Sequence, residues 1–179
     1  MSLFQTSVIK KYLSDLSSEL IDKKYNEFQS YFGNPERQEN IRNLKEEEFQ
    51  SEFIRNLFVN IFEYTLNPEP NFNIVLEKKN VDDSKKADGA IIRNNEVVAV
   101  IELKSTQTTN LDSFRDQAFG YKNHNPKCVY VITSNFEKIR LYIHDTTNHE
   151  EFDLFNLTKD RFALLWLCFS KDHPQLFLL

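Results

Sequence analysis

The chain has 179 residues, of which 40 % are hydrophobic and 27 % charged, a composition typical of a single folded, soluble domain with a buried core. No apolar run approaches the ~20 residues of a membrane-spanning helix, and the first residues lack a signal-peptide pattern, so we expect a cytoplasmic protein with no membrane partner. A net charge of −5 and only three glycines disfavour tight nucleic-acid binding by this domain alone and exclude the usual glycine-rich phosphate loops.

The first third of the chain is predicted to be helical, because its apolar residues recur at helical spacing. Gly33-Asn34-Pro35 is predicted to end the first helix and start the second, and Asn43 is a candidate break within the second. The predicted helices cover residues 7–31 and about 35–64. We assign residues 1–34 to an N-terminal helical segment and residues 35–179 to the main domain.

The remainder of the chain alternates strands with two helices. Strands are predicted over residues 72–79, 87–93, 97–104, 127–133, 138–143 and 151–157, and helices over 111–121 and 158–169. Asn110 and Thr158 are suitable caps for these two helices. This order predicts an α/β fold, a mixed central sheet with helices on both faces, in which helix 111–121 crosses over between two strands.

Three charged residues interrupt or end the two strands that precede this crossover helix. Asp88 breaks the strand 87–93, while Glu102 and Lys104 lie two residues apart on the next strand and therefore share a face. Two carboxylates can hold Mg²⁺, or Mn²⁺ in its place, and a lysine can orient or help to deprotonate a water and offset phosphate charge. Metal-assisted phosphodiester cleavage fits this set; an ordinary strand end entering solvent is the structural alternative.

The metal site requires that Asp88 and Glu102 lie on the same face of the sheet. A two-residue turn at Asn94-Asn95 with regular pairing would put them on opposite faces, whereas a three-residue loop would place them directly opposite each other. We therefore predict the longer loop, or a β-bulge near Gly89.

Other polar residues are candidates for the same site. Gln117 and Tyr121 are four residues apart on the crossover helix and could hold a phosphate or the attacking water; plain helix packing is the alternative. On the second helix, Gln50 falls within the apolar stripe, and we predict Glu47 beside it as a further acidic group near the metal. A solvated Glu46-Glu47-Glu48 run at a helix start explains that segment equally well.

Asp88, Glu102-Leu103-Lys104 and Gln117-x-x-x-Tyr121, in this order after an N-terminal helix, resemble the PD-(D/E)xK nuclease superfamily, with Ala87 in place of the proline. The resemblance implies a restriction-endonuclease-like fold and an Mg²⁺-dependent deoxyribonuclease. Its catalytic residues would be Asp88, Glu102, Lys104, Gln117 and Tyr121, with Asp88 and Glu102 holding the metal.

Several longer stretches are similar to the N-terminal nuclease part of type IIG restriction-modification enzymes. They run over residues 85–90, 99–104, 117–121 and 133–136. This likeness implies that the chain cuts double-stranded DNA as a piece of a longer protein, in which methyltransferase and target-recognition domains follow and hold the DNA. Leu176-Phe177-Leu178-Leu179, which ends without a polar tail, fits that expectation. Cutting both strands would need two copies, such as a transient dimer, or two visits.

Two other functions fit the same sequence. One is a non-catalytic DNA-binding or docking domain on this fold, which would have no affinity for divalent ions. The other is a self-contained repair or junction-resolving nuclease acting as a homodimer, which would bind DNA firmly by itself and which the net charge disfavours.

Overall fold

The computed structural model describes residues 3–79 and 86–172, which form a six-stranded mixed sheet between two layers of helices. The helices are α1 (Thr6–Ser14), α2 (Ser18–Phe32), α3 (Pro35–Asn43), α4 (Glu46–Phe53), a π-helix (Ile54–Ile61), a 3₁₀ turn (Leu111–Phe114), α5 (Arg115–Asn123) and α6 (Lys159–Phe169). The strands are β1 (Ile74–Lys79), β2 (Lys86–Arg93), β3 (Glu96–Leu103), β4 (Tyr130–Ser134), β5 (Lys138–Ile143) and β6 (His149–Asp153).

The sheet follows the chain order β1-β2-β3-β4-β5-β6. Neighbouring strands are antiparallel except β3 and β4, which are parallel and are joined through α5. The predicted α/β fold with a mixed sheet and a crossover helix is therefore confirmed. The predicted strands are all present, with ends that differ by a few residues, and β6 lies at an edge of the sheet.

The N-terminal helices differ from the prediction in where the chain breaks. The prediction of a single helix over residues 7–31 is wrong. Helix α1 ends at Ser14, and the Ser17 side chain caps the start of α2 by accepting a hydrogen bond from the Leu20 amide. An N-cap serine explains this break, since its oxygen satisfies an amide that the helix leaves free. Asn34 caps α3 in the same way, and the predicted break near Asn43 is confirmed.

Two hydrophobic clusters lie on opposite faces of the sheet. The larger cluster packs α2, α3, α4, the π-helix and α6 against one face, and the smaller one packs α5 against the other. Phe28 and Phe32, from the predicted N-terminal segment, belong to the larger cluster together with sheet residues. Burial of these aromatic rings fixes the distance between the sheet and the helices that pack on it. One of these helices is α4, which carries residues of the candidate site.

The β2–β3 hairpin has a two-residue turn and a β-bulge. Asn94 and Asn95 both have positive φ angles, as a tight turn that matches strand twist requires. Ile92 faces Val97 and Ile91 faces Ala99, so Val98 is an extra residue on β3. The longer loop predicted from the sequence is thus wrong. The alternative, a bulge, is present, but it lies beside the turn instead of near Gly89.

In the ranges 3–79 and 86–172, no helix has both the length and the apolar character that crossing a membrane requires.

The aromatic layer beneath α4 provides a test of the packing. Phe53 is fully buried and its ring lies 5.2 Å from that of Phe136 and 6.3 Å from that of Phe32. We expect Phe53→Ala to lower the free energy of unfolding by about 3–5 kcal/mol in urea denaturation, because it leaves a cavity among rings. Phe72→Ala is the control: that side chain is 41 % exposed, and its loss should change the value by less than about 0.5 kcal/mol. Equal effects would contradict this description of the core.

Candidate active site

The bulge in β3 brings Asp88 and Glu102 to the same face of the sheet. Gly89 pairs with Ile101, so the next pair in register is Asp88 with Glu102. The Leu103 amide donates a hydrogen bond of 2.7 Å to Asp88 Oδ2, which fixes this carboxylate against the end of β3. Asp88 and Glu102 therefore lie on the same face of the sheet, as the predicted metal site requires.

Glu102 is the most deeply buried charged residue of the site. Its side chain is 2 % exposed. One oxygen, Oε1, accepts hydrogen bonds from Lys104 Nζ at 2.9 Å and from Gln117 Nε2 at 2.6 Å. The other oxygen, Oε2, is buried and has no hydrogen-bond partner among the residues that the structure describes. A buried carboxylate oxygen without a donor is costly, so Oε2 is where an additional ligand would be stabilised most.

Lys104 links the two layers of helices at the end of β3. Its ammonium uses three donors, to Glu102 Oε1, to Glu46 Oε1 at 3.3 Å and to the Leu103 carbonyl at 2.9 Å. The Phe114 ring centre lies 5.8 Å from Nζ. These contacts hold the charge in place between α4 and the turn before α5.

Helix α4 contributes Glu46 and Gln50, and not Glu47. Gln50 Nε2 donates to Glu46 Oε1 at 3.1 Å, and the Gln50 side chain slightly opposes the rise in the pKa of Asp88. The prediction that Glu47 lies beside the metal is corrected, because Glu47 is exposed. The prediction continues the apolar stripe of Phe49 and Phe53 through residues 54–61 at 100° per residue. That segment is a π-helix, whose wider turn shifts the direction.

Gln117 and Tyr121 reach the site together from α5. Gln117 Nε2 donates both to Glu102 and to the Tyr121 hydroxyl, at 3.1 Å. The start of this helix is fixed by Arg140 on β5, whose Nη1 lies 2.9 Å from Asp112 Oδ1. The structure therefore brings together Asp88, Glu102, Lys104, Gln117 and Tyr121, the five side chains that the motifs placed in one site.

The site has more carboxylates than cations. Among the residues that the structure describes, Asp88, Glu102 and Glu46 surround one ammonium, that of Lys104. Burial and then the charge of Asp88 raise the pKa of Glu102 to about 7, against the hydrogen bond and charge of Lys104. Burial also raises the pKa of Asp88, although the Leu103 amide and Lys104 oppose it. Such an arrangement favours binding of a cation, which would relieve the repulsion between the two carboxylates.

Lys104 is held in its charged form. Burial by itself would lower the pKa of Lys104, but the hydrogen bond and charge of Glu102, with Glu46 and Asp88, outweigh it and the pKa is raised. A permanently protonated ammonium cannot accept a proton from water at neutral pH. Of the two roles that the sequence suggested for this lysine, charge stabilisation is therefore the better supported.

The residues fit a cation that keeps most of its own water. Among the residues that the structure describes, no group of three or more His, Cys, Asp or Glu side chains is arranged to hold a metal ion. Asp88 and Glu102, with the unpartnered Oε2, provide two carboxylates. Mg²⁺ commonly binds to one or two carboxylates together with waters and substrate phosphates, so this donor set suits it.

Sequence reasoning missed two residues that lie at the site. Glu46 was hidden within a run of three glutamates, and only its hydrogen bonds to Lys104 and Gln50 distinguish it. Thr133 pairs with Glu102 across the parallel strands β3 and β4. Residues 133–136 form one of the stretches that carry the resemblance, but no local pattern relates this threonine to Glu102, because that relation depends on strand register.

The sequence matches no protein-family model and no curated protein. Among solved structures, the type IIG restriction endonuclease BpuSI is similar to this chain, at 19 % identity and a TM-score of 0.40, over 68 % of this chain. The chain spans about 15 % of the length of that enzyme. At this level of similarity, function has to be inferred from the residues of the site itself.

The raised pKa of Glu102 predicts how stability depends on pH. The folded state binds the Glu102 proton more tightly than the unfolded state, whose pKa is near 4.5, so this contribution is complete below pH 4.5 and is lost as the pH rises through about 7. Glutamine is uncharged at every pH. In the presence of a chelator, we therefore expect the free energy of unfolding of Glu102→Gln to be about 1–3 kcal/mol higher than that of the wild type at pH 8, and nearly equal to it at pH 5.

Urea denaturation at several pH values measures this difference. Glu47→Gln is the matched control for the substitution itself, since Glu47 is exposed on the neighbouring helix. A Glu102→Gln difference that is the same at pH 5 and pH 8 would rule out the raised pKa.

Proposed function

We propose that this chain is a divalent-metal-dependent nuclease domain that hydrolyses phosphodiester bonds in double-stranded DNA, as the restriction component of a restriction-modification enzyme. The observation that carries this proposal is the buried Glu102 carboxylate, with Oε1 held by Lys104 and Gln117 and Oε2 left without a partner beside Asp88. A purely structural carboxylate at this depth would be expected to have both oxygens satisfied.

Each side chain has a distinct role in this proposal. Asp88 and Glu102 would hold Mg²⁺, or Mn²⁺ in its place, and the ion supplies a Lewis acid that polarises the phosphate. Lys104 stabilises negative charge that develops on the phosphate in the transition state. Gln117 and Tyr121, which are hydrogen-bonded to each other, orient the scissile phosphate or the attacking water.

The charge balance bears on how DNA reaches the site. The chain carries a net charge of −5, and the site itself has excess carboxylates. Long-range repulsion of DNA would therefore oppose tight binding by this domain alone. In our proposal, methyltransferase and target-recognition domains of a longer chain hold the DNA, and a transient dimer or a second visit completes the double-strand break.

Metal binding is the first test. Calorimetric titration of the 179-residue chain with Mn²⁺ should show binding that Asp88→Asn and Glu102→Ala each weaken by about tenfold or more, because each removes a ligand. Asp116→Asn is the control, since Asp116 is 85 % exposed on α5 and touches only its neighbour Arg115 among the contacts described. A wild type without Mn²⁺ affinity would instead indicate a non-catalytic DNA-binding or docking domain.

Substitution of Lys104 distinguishes metal binding from the cleavage step. With supercoiled plasmid DNA and Mn²⁺, we expect Lys104→Ala to lower the cleavage rate by about 10²–10³-fold, because it removes a positive charge from the transition state. Its Mn²⁺ affinity should persist, whereas Asp88→Asn should lose both properties. Lys127→Ala, an exposed residue in the loop before β4, should cleave like the wild type. Normal cleavage by Lys104→Ala would refute the proposed role of this lysine.

A further inference from the structure

Thr133 lies next to Glu102 in the sheet. Each of these two side chains has one buried oxygen without a hydrogen-bond partner among the described residues. The two residues are paired in the parallel register of β3 and β4, so their side chains leave the sheet on the same face. Thr133 is fully buried. Within residues 3–79 and 86–172, its Oγ1, like Glu102 Oε2, finds no hydrogen-bond partner.

The residues around Thr133 leave its hydroxyl available. On its other side Thr133 pairs with Arg140, whose guanidinium donates to Glu151 Oε2 at 2.6 Å, to Asp112 Oδ1 at 2.9 Å and to the Tyr142 hydroxyl at 3.3 Å. A buried hydroxyl without a partner costs on the order of 1–3 kcal/mol. Valine would fill the same space in a strand without that cost, so β propensity alone does not explain a threonine at this position.

A donor and an acceptor, both unsatisfied, thus lie side by side in the dry part of the site. A hydroxyl is able to donate a hydrogen bond to an ionised carboxylate, either directly or through one water. Side chains that hydrogen-bond to a metal-binding carboxylate fix its orientation and commonly change metal affinity by about 10–100-fold.

We propose that Thr133 is a positioning residue that orients the Glu102 carboxylate for the divalent ion by donating a hydrogen bond to Oε2 when the ion is bound. The inference rests on the proposed function, in that it requires Glu102 to bind a cation. Thr133 touches neither substrate nor metal in this role, and acts through Glu102.

The test compares metal affinity with metal-free stability. Thr133→Val keeps the side-chain shape but removes the hydroxyl; we expect about a tenfold weaker Mn²⁺ affinity by calorimetry. In chelator, the same variant should unfold at the same urea concentration as the wild type or a higher one, because a hydroxyl without a partner has been removed. Thr133→Ser, which keeps the hydroxyl, should bind Mn²⁺ within about threefold of the wild type. Thr146→Val, on an exposed loop, controls for the substitution itself.

Each outcome of these measurements supports or overturns the proposed role of Thr133. Unchanged Mn²⁺ affinity in Thr133→Val, with a wild type that binds, would overturn the role of Thr133 and leave the nuclease proposal intact. Weaker binding accompanied by an equal loss of metal-free stability, or a serine variant as weak as the valine variant, would also overturn it, since both results indicate a packing role. A wild type that binds no Mn²⁺ would overturn both proposals together.

Discussion

The register between β2 and β3 is the constraint on which the candidate site depends. Side chains alternate between the two faces of a strand, so a shift of one residue would move Asp88 to the opposite face from Glu102. The tight turn at Asn94-Asn95 would by itself impose that unfavourable register. The extra residue Val98 corrects it, and its carbonyl remains satisfied by the Val129 amide of the neighbouring strand segment. The bulge thus aligns the two carboxylates while the Val98 carbonyl keeps a hydrogen bond.

Once Asp88 and Glu102 lie opposite each other, burial controls the ionisation of their carboxylates. Burial removes Glu102 almost completely from water, and this loss of solvation, with the charge of Asp88 as the second cause, raises its pKa to about 7. The same carboxylates keep Lys104 protonated. A cation entering this cluster would ionise Glu102 and leave the ammonium free to act on substrate charge.

The site also depends on where the two helical layers meet the end of β3. Packing of Phe49 and Phe53 on Phe136 holds α4 so that Glu46 and Gln50 reach the strand ends. On the opposite face, the ion pair between Arg140 and Asp112 fixes the turn from which α5 presents Gln117. Each layer therefore contributes polar side chains through contacts that lie outside the site, and the geometry of the candidate site follows from the packing of the whole domain.

The sequence by itself determined the α/β architecture, because apolar spacing and capping residues are local signals. It also determined Asp88, Glu102, Lys104, Gln117 and Tyr121 as candidates, because a charge within an apolar strand and an i, i+4 polar pair are visible without coordinates. The tertiary structure alone decided that a bulge and not a longer loop aligns the carboxylates, that Glu46 takes the place expected for Glu47, and that Thr133 adjoins Glu102. These features follow from strand register, from a π-helix that changes the direction of a helical face, and from pairing between strands distant in the chain, none of which a local pattern encodes.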